Sequence, residues 1–109
     1  MKLSVQHGVL VRDDHWDLHR PVLDAHQIND RIIVVFDYMS FPKRQQAKNL
    51  MAYDLNRNLL WVAEHPTTEA TDTYVKIVEE KPLKAWNFAC YFCEIDIQNG
   101  KLLRAEFTK

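Results

Sequence analysis

Leu50-Met51-Ala52-Tyr53-Asp54-Leu55-Asn56-Arg57-Asn58-Leu59-Leu60-Trp61-Val62-Ala63-Glu64 sets two apolar runs on either side of a short polar break. Asn56, Arg57 and Asn58 tolerate tight or left-handed backbone, and apolar runs flanking such a break specify two antiparallel strands joined by a turn. The aspartate closing the first run suits that turn, because its carboxylate can accept hydrogen bonds from the amides that follow. A shift of 42 positions meets the same plan again: Asp54 falls on Asp96, Leu60 on Leu102, Ala63 on Ala105 and Glu64 on Glu106, with Leu55 on Ile97. Asn99-Gly100 fills the second break and is the clearest hairpin signal in the chain. Self-similarity at a fixed spacing marks a repeated structural unit.

Outward from these hairpins, apolar residues recur at every second position, the period of a half-buried strand and not of a helix. Runs 22–28 and 32–38 precede the first hairpin (50–55, 59–63), and runs 74–78 and 83–88 precede the second (91–97, 102–107). Most are rich in β-branched or aromatic residues. Each copy therefore reads as a four-stranded antiparallel meander, the first carrying an insertion, 40–48, between its second and third strands. Segment 43–51 contains good helix formers but no apolar stripe before Leu50, which leaves room for one helical turn at most. At the N-terminus Leu3 and Val5, then Val9 and Val11, alternate around His7-Gly8 and predict a hairpin followed by an irregular polar connection. The expected fold is a single all-β domain over 1–109, with a hairpin and connection (1–20), repeat 1 (21–64) and repeat 2 (73–107).

Leu50-Met51-Ala52-Tyr53-Asp54 followed by Leu60-Trp61, and Cys93-Glu94-Ile95-Asp96 followed by Asn99-Gly100-Lys101-Leu102, resemble blades of quinoprotein-type β-propellers over about 22–107. The resemblance implies blade-like repeats. A closed propeller needs at least about four blades, and the chain has material for two plus a hairpin. The two sheets are therefore expected to pack on each other as a sandwich or rolled barrel, with pairing to a second copy as another way to cover a sheet. No residue matches the quinone site of that family, so no cofactor is carried over.

Apolar residues make up 47% of the chain and charged residues 27%, an ordinary globular balance. Fourteen basic against fifteen acidic residues leave a net charge of −1, which offers nothing to nucleic acid or an anionic membrane. Residues 1–11 alternate instead of forming a leader-like apolar block, and no window approaches the roughly 18 apolar residues of a membrane span. A soluble, cytoplasmic protein is expected, with its two cysteines reduced.

Several residue groups invite a chemical reading. Cys90-Tyr91-Phe92-Cys93 has the spacing of half a zinc site, but no second pair exists, and in a strand the two thiols would point to opposite faces. Asp13, His15 and His19 form the densest run of potential ligands, although the two histidines share a face only on a helix. Ser4 and Ser40 lack a glycine-flanked elbow, and two glycines cannot make a phosphate cradle. Asp54 and Asp96 are assigned to their turns, and enzyme activity ranks last. Trp61 and Trp86 are expected to face the interior, whereas Trp16, amid charges, is expected at a contact surface with Phe41, Lys43 and Arg44 of the first long loop. The leading expectation is a protein-interaction or accessory module, for which a toxin-neutralising role is one form. The alternative is a small-ligand or metal-binding domain using a cleft between the sheets, with His15, His19, Cys90 and Cys93 as ligands.

Overall fold

A computed structural model describes residues 1–5 and 7–108. The strands run β1 (Gly8–Val11), β2 (Asp14–Asp17), β3 (Val22–Ile28), β4 (Arg31–Phe36), β5 (Leu50–Asp54), β6 (Leu59–Val62), β7 (Tyr74–Glu79), β8 (Lys84–Asn87), β9 (Tyr91–Ile95) and β10 (Leu102–Phe107). They form a β1-β2 hairpin and two four-stranded antiparallel sheets, β3-β4-β5-β6 and β7-β8-β9-β10, each a meander in chain order. The sheets stack face to face and do not close on themselves, so of the two expected packings the rolled barrel is set aside. Among the described residues the one helical element is a 3-10 turn, Tyr38–Ser40, which opens the insertion and is capped by the Asp37 carboxylate accepting from Met39 N. No helix of the described residues is long and apolar enough to cross a membrane.

Three layers result. The N-terminal hairpin covers one face of the first sheet, where Leu3, Val9, Val11 and Trp16 pack on Ala25, Ile32, Val34 and Phe36. The opposite face, with Ile33, Val35, Leu50, Ala52 and Trp61, packs on Tyr74, Ile77, Ala85, Cys93 and Ile95 of the second sheet. β4 is buried on both faces, which is why 32–36 is an unbroken apolar run.

The sheets stack in the same orientation, head to tail. Under the 42-residue shift Met51 and Tyr53, which face the hairpin, correspond to Cys93 and Ile95, which face the first sheet. The same shift sends Leu50 and Ala52, covered by the second sheet, to Phe92 and Glu94, which have no layer over them among the described residues. Ahead of the insertion 40–48 the shift becomes 51, and it sends Ile33 and Val35 to Lys84 and Trp86. Trp86 therefore lies half-buried on the outer face, pairing with Phe92 across the strands and meeting the Phe88 ring, and the expectation that it fills the interior is corrected. Its neighbours Ala85 and Asn87 are the residues that point inward.

The N-terminal segment adds a β1-β2 hairpin to the reversal expected at His7-Gly8. The hairpin's turn is Arg12-Asp13, both left-handed at φ 51° and 65°, as a type I′ turn demands. The run Asp14–Asp17, expected as an irregular connection, is the strand β2 that pairs with β1. Gly8 sits where a Cβ would stand 1.9 Å from Trp16 O, so it serves close strand approach, and the chain also reverses beside it as expected, with His7 left-handed at φ 52°, Val5 bridged to Val9 and Leu10 N donating to Ser4 O.

Candidate functional site

Strand edges are what this architecture leaves to be managed, and it treats its four outer strands unequally. Residues 1–3 run along β3, with Leu3 N donating to Ala25 O at 2.8 Å and Gln27 N to Met1 O at 2.8 Å. β7 lies beside β3, and its Ile77 N donates to the buried Asp24 Oδ2 at 2.8 Å. The Asn49 side chain joins the same seam, donating to Phe36 O and Tyr74 O and accepting from Tyr74 N. Buried acceptors and donors of this kind are kept because leaving such groups unpaired is costly.

The opposite side is tied at one end only. β6 and β10 each end their sheet with one strand neighbour, and exposed apolar side chains gather on them. Leu59 is 53% exposed, Leu103 58% and Phe107 59%, with Leu60 and Val62 also exposed. A bulge between Leu102 and Arg104 displaces Leu103 from the regular ladder. The two edges are held at a fixed separation by Glu64 N donating to Gly100 O, Leu102 N donating to Glu64 Oε1, and Trp61 Nε1 donating to Ile97 O at 2.9 Å.

A buried polar cluster fixes the second long loop beneath this arrangement. Asp72, fully buried, accepts from Thr67 N, Thr67 Oγ1 and Asn87 Nδ2, and its Oδ1 lies 2.9 Å from His65 Nδ1. The His65 ring packs on Tyr74, whose hydroxyl donates to Glu64 O. His65 Nε2 is buried without a hydrogen-bond partner. Burial pushes the Cys93 thiol up to about 11, which keeps it a neutral thiol and a poor nucleophile at neutral pH. Burial also raises the Tyr74 hydroxyl. These groups are locked together as structure. Sequence reading missed His65, Asp72 and Asn87, which are spread over separate segments and carry no local motif.

The residues singled out by sequence are dispersed. Trp16, expected at a contact surface, is only 3% exposed and belongs to the core beneath the hairpin, with the Arg57 guanidinium over its ring. β2 has one inward position, and the charges around Trp16 occupy the outward ones. Phe41 is partly buried against the same core under Arg20, and Lys43 and Arg44 are exposed on the loop. His15 and His19 are exposed on the hairpin side. Cys90 is exposed in the β8–β9 turn and Cys93 is buried, both free thiols beyond the first sheet from the histidines. The four proposed ligands do not converge, and the inter-sheet space that a cleft would need is filled by core side chains. Among the described residues no group of three or more His, Cys, Asp or Glu is placed to hold a metal ion. Asp54 and Asp96 do what their turns require, Oδ1 accepting from Asn56 N and from Gln98 N two residues on.

A family profile described as "Domain of unknown function (DUF7957)" matches residues 2–107. No curated protein and no solved structure matches the chain.

Proposed function

The chain belongs to the DUF7957 family, and on that premise we propose that it is a protein-interaction module that receives a partner protein along its open side, at β6 and β10. The observation that carries this reading is the asymmetry of the edges. β3 is covered by residues 1–3 and joined to β7 by the Asp24 carboxylate, whereas β6 and β10 are tied together at one end only, where Glu64 meets Gly100 and Leu102, and carry exposed apolar side chains along the rest of their edges. An uncovered edge strand is a template for an added strand, and backbone pairing with side-chain contacts at alternate positions is a recurrent mode of peptide recognition. Such a scaffold suits an accessory role, including neutralisation of a toxin partner. The matched order and orientation of the two meanders support their origin as blade-like repeats of one unit. The free thiols suit a reducing, cytoplasmic setting.

Affinity capture from native lysate tests the reading. Wild-type protein is expected to recover a partner protein in stoichiometric amount. Leu103→Asp and Phe107→Asp lose it with an unchanged circular dichroism spectrum, while Lys43→Glu with Arg44→Glu retains it. Recovery of no stoichiometric partner, or recovery indifferent to the β10 changes, overturns it.

A further inference from the structure

The outer face of the second sheet carries two rows of side chains that cross all four strands. Cross-strand pairing aligns Lys76, Trp86, Phe92 and Glu106 in one row, and Glu79, Lys84, Glu94 and Arg104 in the next. Read from β7 to β10, the first row is basic, aromatic, aromatic, acidic, and the second is acidic, basic, acidic, basic. Each row changes sign on reversal about the line between β8 and β9. A surface with that property is complementary to itself.

We propose that two copies of the chain associate through this face, about a two-fold axis that runs parallel to the strands between β8 and β9. Rotation about that axis keeps each residue's position along the strands and exchanges β7 with β10 and β8 with β9. Lys76 then opposes Glu106 of the second copy, Glu79 opposes Arg104, and Lys84 opposes Glu94, each contact occurring twice. Trp86 opposes Phe92 and fills the centre. A two-fold axis along the rows and midway between them would instead set Lys84 against Trp86 and Glu94 against Phe92, leaving the central Glu94 without a counter-charge, so the pattern favours the axis parallel to the strands. Stacked sheets prefer strand directions within about 30° of each other, which this axis satisfies. An apolar aromatic centre inside a charged rim is the usual anatomy of a protein interface.

The stacking inside the chain points the same way. The corresponding face of the first sheet is buried under the second, and its Ile33 and Ala52 correspond to Lys84 and Glu94. Charges at these two positions stop a further sheet from adding head to tail and leave a face that fits its own rotated image. The exposed Phe88 continues the aromatic centre and meets Tyr38 edge-on at 5.7 Å.

Sedimentation velocity over a concentration series tests this directly. Wild type is expected to approach twice the 12.9 kDa chain mass. Lys84→Glu and Glu94→Lys, each alone, set like charges together at two contacts per dimer and are expected to weaken association about tenfold or more. An equimolar mixture of these two variants restores attraction at both contacts and re-forms the dimer, which no folding defect can imitate. Leu103→Asp and Phe107→Asp, on the open edge, leave the dimer intact, so this result separates from the edge-binding reading above. A wild type that stays at 12.9 kDa throughout, a dimer unmoved by either charge reversal, or a mixture that does not re-associate overturns the proposal.

Discussion

Gly100 lies flat against the indole of Trp61, so close that a Cβ on the glycine would stand 2.6 Å from Trp61 Cε3. The contact clamps the β9–β10 turn of the second meander onto β6 of the first, and Trp61 Nε1 fixes the ring by donating to Ile97 O. Gly100 also holds φ at +76°, a region that L side chains avoid.

Gly100→Ala therefore meets two penalties, a left-handed alanine and a displaced tryptophan. We expect a loss of about 2–4 kcal/mol, a sizeable part of the roughly 5–15 kcal/mol that holds a domain folded. Urea denaturation followed by tryptophan fluorescence measures it, and a loss below about 0.5 kcal/mol contradicts the clamp.

Asp72 is the acceptor on which Thr67, Asn87 and His65 converge. Asp72→Ala strands buried donors and is expected to cost about 3 kcal/mol or more, whereas Asp30→Ala, at an exposed turn position without left-handed backbone, stays within about 0.5 kcal/mol. Thermal unfolding of the two variants side by side checks the contrast.

Hydrogen bonds from Asn58, through its backbone and its side chain, and from Asn56 N hold the Asp54 carboxyl below the ordinary aspartate value of 3.8. A carboxyl lowered by folding stabilises the native state above its unfolded value and loses that contribution as pH falls through its folded value. Asp54→Asn should therefore be less stable than wild type at neutral pH and show a shallower loss of stability below about pH 4. Carbon-detected titration of the side chain reads the midpoint directly, and a midpoint at or above the ordinary value contradicts the assignment.

Thiol accessibility separates the two cysteines. At pH 8 a disulfide reagent should titrate one thiol per native chain, Cys90, and a second only in denaturant, because burial both shields Cys93 and holds it protonated. Cys90→Ser should abolish the native reaction, and rapid native modification of Cys93 contradicts its placement.

The strands and their order were legible because period-two patterning and turn residues are local signals, as at Asp54, Asp96 and Asn99-Gly100. Signals that mislead are also local. His7-Gly8 marks a true reversal, with Val5 bridging Val9 across it, but it hid the second turn, Arg12-Asp13, which adopts two left-handed residues without a glycine. β2 buries one side chain, too few to show a period, and that hid Trp16 among charges. On β8 the inward residues are small or polar, Ala85 and Asn87, and the large one points out, so polarity reads opposite to position. The cluster around Asp72 depends on partners five to fifteen residues away along the chain, which no local pattern encodes. The sign reversal across the outer rows became readable only once the register between strands was known.

Every ladder in the three sheets joins strands adjacent in sequence. Formation of each sheet thus requires closing only short stretches of chain, an unusual economy for an all-β protein, where distant pairing ordinarily slows the search for the native state. Synthesis from the N-terminus can complete the hairpin and then the first meander in turn. Ile33, Val35 and Trp61, by contrast, get their cover only from the second meander, so a first meander formed ahead of β7–β10 would leave that face bare to water.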